Sequence, residues 1–158
     1  MTVRHYWLDR IEEMVPGRRA VGLKCVALAE DHFDAHFPGN PVLPGVCLLE
    51  GLAQTAGVLL HESTAGEKLA LMVSIERVRF TAFARPGDRV RLVVEIEALD
   101  DSTARIRAEA VAADRSIASG RLTFRLVDPG TMVPPAFTVF WQQAMDTWLG
   151  RYPEVARA

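Results

Sequence analysis

The chain of 158 residues has the length of a single domain with a sizeable hydrophobic core. Apolar residues make up 49% and charged residues 24%, and the net charge of -2 argues against general affinity for nucleic acid or anionic membranes. The two cysteines have no metal-ligand spacing, and the first residues lack the apolar core of a signal peptide. We therefore expect free thiols, no metal site and a cytoplasmic location.

The first half of the chain is predicted to contain two short elements and one long helix. Residues 7–14 have the spacing of a short amphipathic helix, and residues 19–30 have the partial alternation of a strand. From about residue 44 to residue 62 the chain is apolar on nearly all sides, and Pro44 suits the first turn of a helix. This pattern predicts a buried helix that is too short and too often interrupted to span a membrane.

The second half has the pattern of strands separated by turns. Apolar and polar residues alternate through residues 69–80, 90–96, 104–110 and 116–126, with a Pro-Gly-Asp turn at 86–88. One long apolar helix followed by such strands predicts an α+β fold, in which a curved antiparallel β-sheet wraps around a long central helix.

A C-terminal amphipathic helix is predicted after a linker at residues 128–135. Aromatic and aliphatic residues fall at helical spacing between residues 137 and 149, and polar residues lie opposite them. We therefore divide the chain into a domain of residues 1–127 and a linker with an extra helix, residues 128–158. That helix either packs on its own domain or covers a subunit interface or a partner.

The stretch HFPGNPVLPGVCLLEGLAQ, from His36 to Gln54, contains the residues best suited to chemistry. Glu50 and Gln54 are four residues apart and share one helix face. A carboxylate among apolar residues needs a partner or must hold a proton. His36, in the Pro/Gly-rich loop, is the nearest such partner in sequence. Gly45 lies at a helix start, where backbone N–H groups have no partner within the helix.

This stretch resembles the (3R)-hydroxyacyl-[acyl carrier protein] dehydratases (FabZ/FabA type) of bacterial fatty acid synthesis, which have the hot-dog fold. Their pattern is a histidine in an HFPG loop, then PV-x-PGV, then an acidic residue fourteen positions after the histidine, then AQ. The matching positions are His36, Phe37, Pro38, Gly39, Pro41, Val42, Pro44, Gly45, Val46, Glu50, Ala53 and Gln54. The resemblance covers roughly residues 8–127. Asn40, where His or Asp is common, and Gly51, where alanine is common, depart from the pattern.

The resemblance implies dehydration of a (3R)-3-hydroxyacyl thioester to the trans-2-enoyl thioester. His36 would take the C2 proton, Glu50 would serve the C3 hydroxyl, and either one residue or both would transfer protons. The Gly45 N–H, with that of Val46, would polarise the thioester carbonyl. Gln54 would orient Glu50, and the loop residues Phe37, Pro38 and Gly39 would support the site.

The family's partners are also implied by this resemblance. The substrate would be carried by the phosphopantetheine arm of an acidic acyl carrier protein, with no other cofactor and no metal. The site would lie between the subunits of a homodimer, which could assemble further into a trimer of dimers. An arginine-rich segment, residues 77–91, would dock the carrier; its candidates are Arg77, Arg79, Arg85 and Arg89. The same arginines could instead form the solvated outer face of two strands.

Other interpretations remain open. The chain could be another hot-dog thioester enzyme, either a dehydratase-isomerase or a thioesterase, although Glu50 rather than aspartate favours the plain dehydratase. It could also be a non-catalytic subunit that binds the acyl carrier, an interpretation suggested by the extra C-terminal helix. We interpret His61 as structural, and His5 and His32 as surface residues. Cys47 is interpreted as a packing residue, because an apolar helix does not lower a thiol pKa.

Overall fold

The computed structural model describes residues 6–152, apart from the side chain of Pro135. Within residues 6–152, six strands, a 3-10 turn and three helices follow one another. They are β1 (Arg10–Val15), β2 (Arg19–Cys25), the 3-10 turn (Asp31–Asp34), α1 (Gly45–Ser63), β3 (Leu69–Phe80), β4 (Arg89–Leu99), β5 (Thr103–Ala112), β6 (Arg115–Val127), α2 (Pro129–Met132) and α3 (Pro135–Trp148). The last six residues of the predicted C-terminal segment and His5 lie outside the described residues.

The strands form one antiparallel sheet in the order β1-β2-β4-β5-β6-β3, so that β1 and β3 are its edges. In the central strands β4 and β5 one face is buried, and the predicted alternation is found in Leu92, Val94 and Ile106. Leu59 and Leu60 of α1 are buried in the same core. The predicted α+β hot-dog architecture, a central helix wrapped by a curved sheet and an extra C-terminal helix, is therefore confirmed.

The helix predicted for residues 7–14 is wrong, because residues 10–14 belong to the edge strand β1. A β-bulge interrupts the pairing of β1 with β2 between Ile11 and Glu13. Ile11 and Met14 are both partly buried against the core, although they are three residues apart. An inserted residue restores one face after three positions, so a bulged strand gives the apolar spacing of a helical turn. The segment is a strand because it pairs with β2, and the sequence pattern does not show this pairing.

The central helix α1 differs from its prediction in two respects. Pro44 is the N-cap rather than the first helical residue, and α1 begins at Gly45. The helix is also not buried on all sides, since Val46 is 71% exposed and Glu50 is exposed. The sheet covers one side of α1, and α3 approaches another part of it, where Trp141 faces Gly57. A stripe at the start of α1 is therefore open to solvent in a single chain.

The C-terminal helix α3 packs against the rest of the chain through its inward face. Ala144, Met145 and Trp148 are buried in the common core. Tyr6 stacks on Phe140 and meets Trp148 edge-on. Within residues 6–152, no helix is long and apolar enough to cross a membrane.

Candidate active site

The loop that carries His36 is held in place by the segment between β3 and β4. The Leu43 N–H donates to the Ala84 carbonyl at 2.8 Å. The Arg85 guanidinium donates to Asn40 Oδ1 at 2.7 Å and to the Pro41 carbonyl at 3.3 Å. Asn40, one of the two departures from the family pattern, thus ties the loop to Arg85 through its side-chain oxygen.

The supporting residues of the loop form a tight turn directly after His36. Phe37 and Asn40 exchange two backbone hydrogen bonds, of 3.3 and 2.9 Å. Gly39 has a φ of +72, a conformation that side chains disfavour, which explains the glycine. The His36–Phe37 peptide bond is cis. Phe37 and Pro38 are exposed at the tip of this turn.

The imidazole of His36 is oriented by one hydrogen bond. Its Nδ1 lies 2.9 Å from the Val42 carbonyl oxygen, which can only accept, so Nδ1 carries the proton. The neutral ring then has its lone pair on Nε2. The ring also stacks on Phe37, with centroids 4.1 Å apart. His36 is thus held in the tautomer that a general base requires.

The start of α1 presents backbone amides at the loop. The N–H groups of Gly45 and Val46 have no partner within the helix because they belong to its first turn. Among the described side chains, none caps the helix at Pro44 with a hydrogen bond. Phe80 lies close over Gly45, where a Cβ would come within 2.9 Å of the ring. Glycine is therefore required at residue 45 for this close approach, in addition to presenting its amide.

Glu50 is held by Gln54, one turn further along α1. The Gln54 side-chain amide donates to Glu50 Oε1 at 3.0 Å. The Gln54 carbonyl oxygen accepts from the Trp7 N–H at 2.9 Å, which fixes the orientation of the amide. The predicted positioning contact is therefore present. The apolar surroundings expected for Glu50 are not provided by a single chain, in which this residue is exposed.

A cavity of about 440 Å³ lies beside Glu50. Gln54 and Ala53 line it on α1, and aromatic side chains line it opposite. His36 is not among the described residues that line this cavity. The structure thus brings Glu50 and Gln54 together and joins His36 to Val42, two residues before the N-cap of α1. One copy of the chain does not place His36 in the cavity of Glu50.

Gly51, the second departure from the family pattern, has a steric explanation. A Cβ at this position would lie 2.7 Å from the Trp7 carbonyl oxygen and 3.1 Å from a methyl group of Leu92. The N-terminal segment passes so close to α1 that even alanine does not fit without movement.

The candidate docking arginines are not equivalent in the structure. Arg89 lies in β4 and forms an ion pair with Glu12, at 3.2 Å. Arg77 and Arg79 lie in β3, which β5 and β6 separate from β4 in the sheet. Among residues 6–152, Arg77, Arg79 and Arg85 form no ion pair with an acidic side chain. Among these four candidates, the charges available to an acidic partner are therefore those of β3 and the following loop.

Other titratable residues are placed in packing environments. Burial lowers the pKa of His61, which lies in the last turn of α1. Burial also raises the pKa of the Cys47 thiol, so the thiol form is favoured. His32 is half-buried rather than on the surface as predicted, because its ring packs on Trp7 and Phe33. Both cysteines are free thiols, and no group of three potential metal-ligating side chains occurs in the part of the chain that is described.

The sequence interpretation did not assign the aromatic residues of α3 to the site. Phe137, Phe140, Trp141 and Trp148 line the cavity beside Glu50. Their helical spacing showed an amphipathic helix, but helical spacing alone does not show what an apolar face packs against.

A long helix wrapped by a six-stranded antiparallel sheet, with a loop histidine before the helix and a carboxylate on it, defines a hot-dog protein. The dehydratase heterocomplex ApeI:P from Xenorhabdus doucetiae superposes with a TM-score of 0.64 at 14% identity, covering 88% of this chain and 90% of that one. A hypothetical thioesterase from Streptococcus pneumoniae superposes with a TM-score of 0.59 at 12% identity, covering 75% of this chain and 85% of that one. At these identities the likeness shows the fold alone.

The chain belongs to the family of FabA-like domains, whose model matches residues 5–121. It is 44% identical over 124 residues to the 3-hydroxyacyl-[acyl-carrier-protein] dehydratase FabZ of Chloroflexus aggregans, covering 77% of this chain and 85% of that relative. The FabZ of Lactobacillus helveticus is 37% identical over 124 residues, covering 78% of this chain and 84% of the relative. The family match ends within β6, so α3 lies outside it.

Proposed function

We propose that this protein removes water from a (3R)-3-hydroxyacyl thioester carried on acyl carrier protein and releases the trans-2-enoyl thioester. Its FabZ relatives are named 3-hydroxyacyl-[acyl-carrier-protein] dehydratases, which is the same class of reaction. The observation that carries the proposal is the orientation of His36, whose Nδ1 donates to the Val42 carbonyl and leaves Nε2 as a base. The family pattern of the loop and of α1 supplies the acid and the oxyanion donors.

The proposed reaction needs only the groups of the protein. His36 Nε2 takes the C2 proton, and the electron pair of that bond forms the C2–C3 double bond as the C3–O bond breaks. The Glu50 carboxyl group gives a proton to the departing hydroxyl, which leaves as water, and Gln54 holds this carboxyl group in place. The N–H groups of Gly45 and Val46, at the positive end of the α1 dipole, stabilise the charge on the thioester oxygen. No metal and no cofactor besides the carrier's phosphopantetheine arm takes part.

The proposed site is completed by a second copy of the chain. β3 is a twelve-residue edge strand that exposes apolar side chains, including Val73, 60% exposed, and Ile75. Phe80, the last residue of β3, and Phe83 in the following loop continue this surface. Long apolar edge strands are pairing surfaces. Pairing along β3 would form a homodimer in which His36 of the partner subunit meets Glu50, and the dimer would also shield Glu50 from water.

The proposed carrier docks on Arg77, Arg79 and Arg85, whose charges no acidic side chain among the described residues neutralises. Arg89 contributes less, because Glu12 already pairs with it. An acidic carrier would be steered to these arginines by long-range attraction. We place the reaction in the cytoplasm, because the two cysteines are free thiols and the relatives' substrate is carrier-bound.

The proposal is tested with His36→Ala and Glu50→Gln, assayed on carrier-bound 3-hydroxyacyl substrates with product identification by mass spectrometry. Each variant is expected to lose about 100-fold or more in turnover, because each removes a proton-transfer group. Circular dichroism and the thermal midpoint should match the wild type. Wild-type rates in either variant would contradict the site, and a free acid or a 3-enoyl product would assign the chain to a different hot-dog reaction.

A further inference from the structure

The cavity beside Glu50 is bounded by a helix that the family match does not include. The match ends at residue 121, whereas α3 spans Pro135–Trp148. Nevertheless, Phe137, Phe140, Trp141 and Trp148 of α3 line the same cavity as Glu50 and Gln54. The aromatic side of the cavity is therefore formed by a segment of the chain that lies outside the family match.

The position of α3 relative to α1 gives the cavity a direction. A Cβ at Gly57 would lie 3.8 Å from the Trp141 ring, so α3 lies against α1 two turns beyond Glu50. Seven residues of helix correspond to about 10 Å along the axis. The cavity thus extends from the carboxylate along α1 to an aromatic boundary.

The burial of the α3 residues agrees with an unfilled space at this boundary. Ala144, Met145 and Trp148, on the inward face of α3, are buried in the core. Phe140 and Trp141, on the same amphipathic face, are only half-buried. Protein interiors are normally close-packed. The half-burial of these two large aromatic residues on an inward face therefore indicates a space beside them that no other described side chain fills.

We propose that the aromatic face of α3 is the binding surface for the distal part of the acyl chain, and so sets the chain lengths on which this protein acts best. The inference rests on the proposed function, since the occupant is the acyl group of the thioester whose C3 hydroxyl meets Glu50. Beyond Glu50 and Gln54 the described lining is aliphatic or aromatic and has no charged side chain, which suits a hydrocarbon chain. A butanoyl chain ends near Glu50, whereas a decanoyl chain reaches Phe140 and Trp141.

The first test compares kcat/KM for 3-hydroxydecanoyl and 3-hydroxybutanoyl thioesters of pantetheine in the wild type and in Phe140→Ala. Each methylene buried against an apolar wall contributes about fourfold to binding. Removal of the Phe140 ring is expected to reduce the decanoyl-to-butanoyl ratio about tenfold. Val139→Ala is the matched control, because Val139 is 61% exposed on the same helix and does not line the cavity. Its ratio should equal the wild type's.

A second variant guards against loss of folding in Phe140→Ala. Ala70, at the start of β3, lines the cavity from the sheet side. Ala70→Leu fills part of the space without touching α3's own sequence, and it is also expected to lower the ratio. Ratios equal to the wild type's in both folded variants, or in Ala70→Leu alone if Phe140→Ala does not fold, would overturn the inference.

A binding measurement separates the inference from the proposed reaction. Saturated decanoyl-pantetheine cannot be dehydrated, and its binding near Trp141 and Trp148 should change tryptophan fluorescence. Phe140→Ala is expected to weaken this binding about tenfold relative to Val139→Ala. If no 3-hydroxyacyl substrate is turned over but Phe140→Ala binds decanoyl-pantetheine more weakly than Val139→Ala, the proposed function is refuted. The assignment of α3 as an acyl-binding surface is then still supported. Turnover by the wild type with equal Kd values in the two variants would overturn the acyl surface alone.

Discussion

A mixture of two inactive variants tests whether the active site is shared between subunits. The His36→Ala chain keeps its carboxylate, and the Glu50→Gln chain keeps its imidazole. In the structure, His36 is absent from the described lining of the Glu50 cavity, so each site should take the two groups from different chains. A heterodimer of the two variants then has one site with both lesions and one intact site.

The expected recovery follows from the symmetry of the dimer. Random exchange makes about half of the dimers mixed, and each mixed dimer has one intact site of two, so about a quarter of the wild-type rate returns. The two variants are coexpressed, or unfolded and refolded together, and formation of the enoyl product is measured. Each variant alone should remain at least about 100-fold below the wild type.

A complementary mixture gives a second number. A chain carrying both His36→Ala and Glu50→Gln, mixed equally with the wild type, leaves intact sites only in wild-type homodimers. The mixture should therefore retain about a quarter of the activity if sites are shared, and about half if each chain forms its own site. Retention of half, together with no recovery in the first mixture, would refute the shared site.

Three further predictions concern stability, pH and the carrier. Gly51→Ala should destabilise the fold by about 1–3 kcal/mol in chemical denaturation, because its Cβ would meet a backbone oxygen at 2.7 Å. Gly57→Ala, whose Cβ would meet an aromatic ring at an ordinary 3.8 Å, should stabilise it by about 0.5–1 kcal/mol. Burial lowers the pKa of His61 below 6.5, so the unfolded chain binds a proton first as the pH falls, and stability is lost below about pH 6.5. His61→Gln should lose less unfolding free energy than the wild type between about pH 7 and 5.5. Arg79→Gln should raise KM for the carrier-bound substrate but not for the pantetheine thioester, whereas Arg89→Gln should raise KM for the carrier-bound substrate less.

Each of these has a contrary result. Equal stabilities of the two alanine variants would mean that the N-terminal segment moves freely away from α1. A His61→Gln variant with the wild-type pH dependence would remove that histidine from the acid response. An equal effect of both arginine substitutions on KM would favour the general charge of the sheet over a docking surface on β3.

Part of the candidate site could be predicted from the sequence because the residues that form it are close together in the chain. Glu50 and Gln54 are one helical turn apart, and the helix geometry alone predicts the contact that the structure shows at 3.0 Å. Gly45 at a helix start likewise predicts amides without helical partners. The prediction for residues 7–14 was wrong because a bulged strand and a helical turn give the same apolar spacing. Only the pairing of β1 with β2 distinguishes the strand from the helix.

By itself, the sequence determined the fold class, the positions of the histidine and the carboxylate, and the family, because periodicity and a fixed-spacing motif are local properties of the chain. Tertiary structure decided what those local patterns cannot contain. It alone placed α3 on the cavity, paired Arg89 with Glu12 while leaving Arg79 outside any described ion pair, and kept His36 out of the cavity of Glu50. These features depend on which faces meet after folding, and residues far apart in the chain meet only when the sheet closes around the helix.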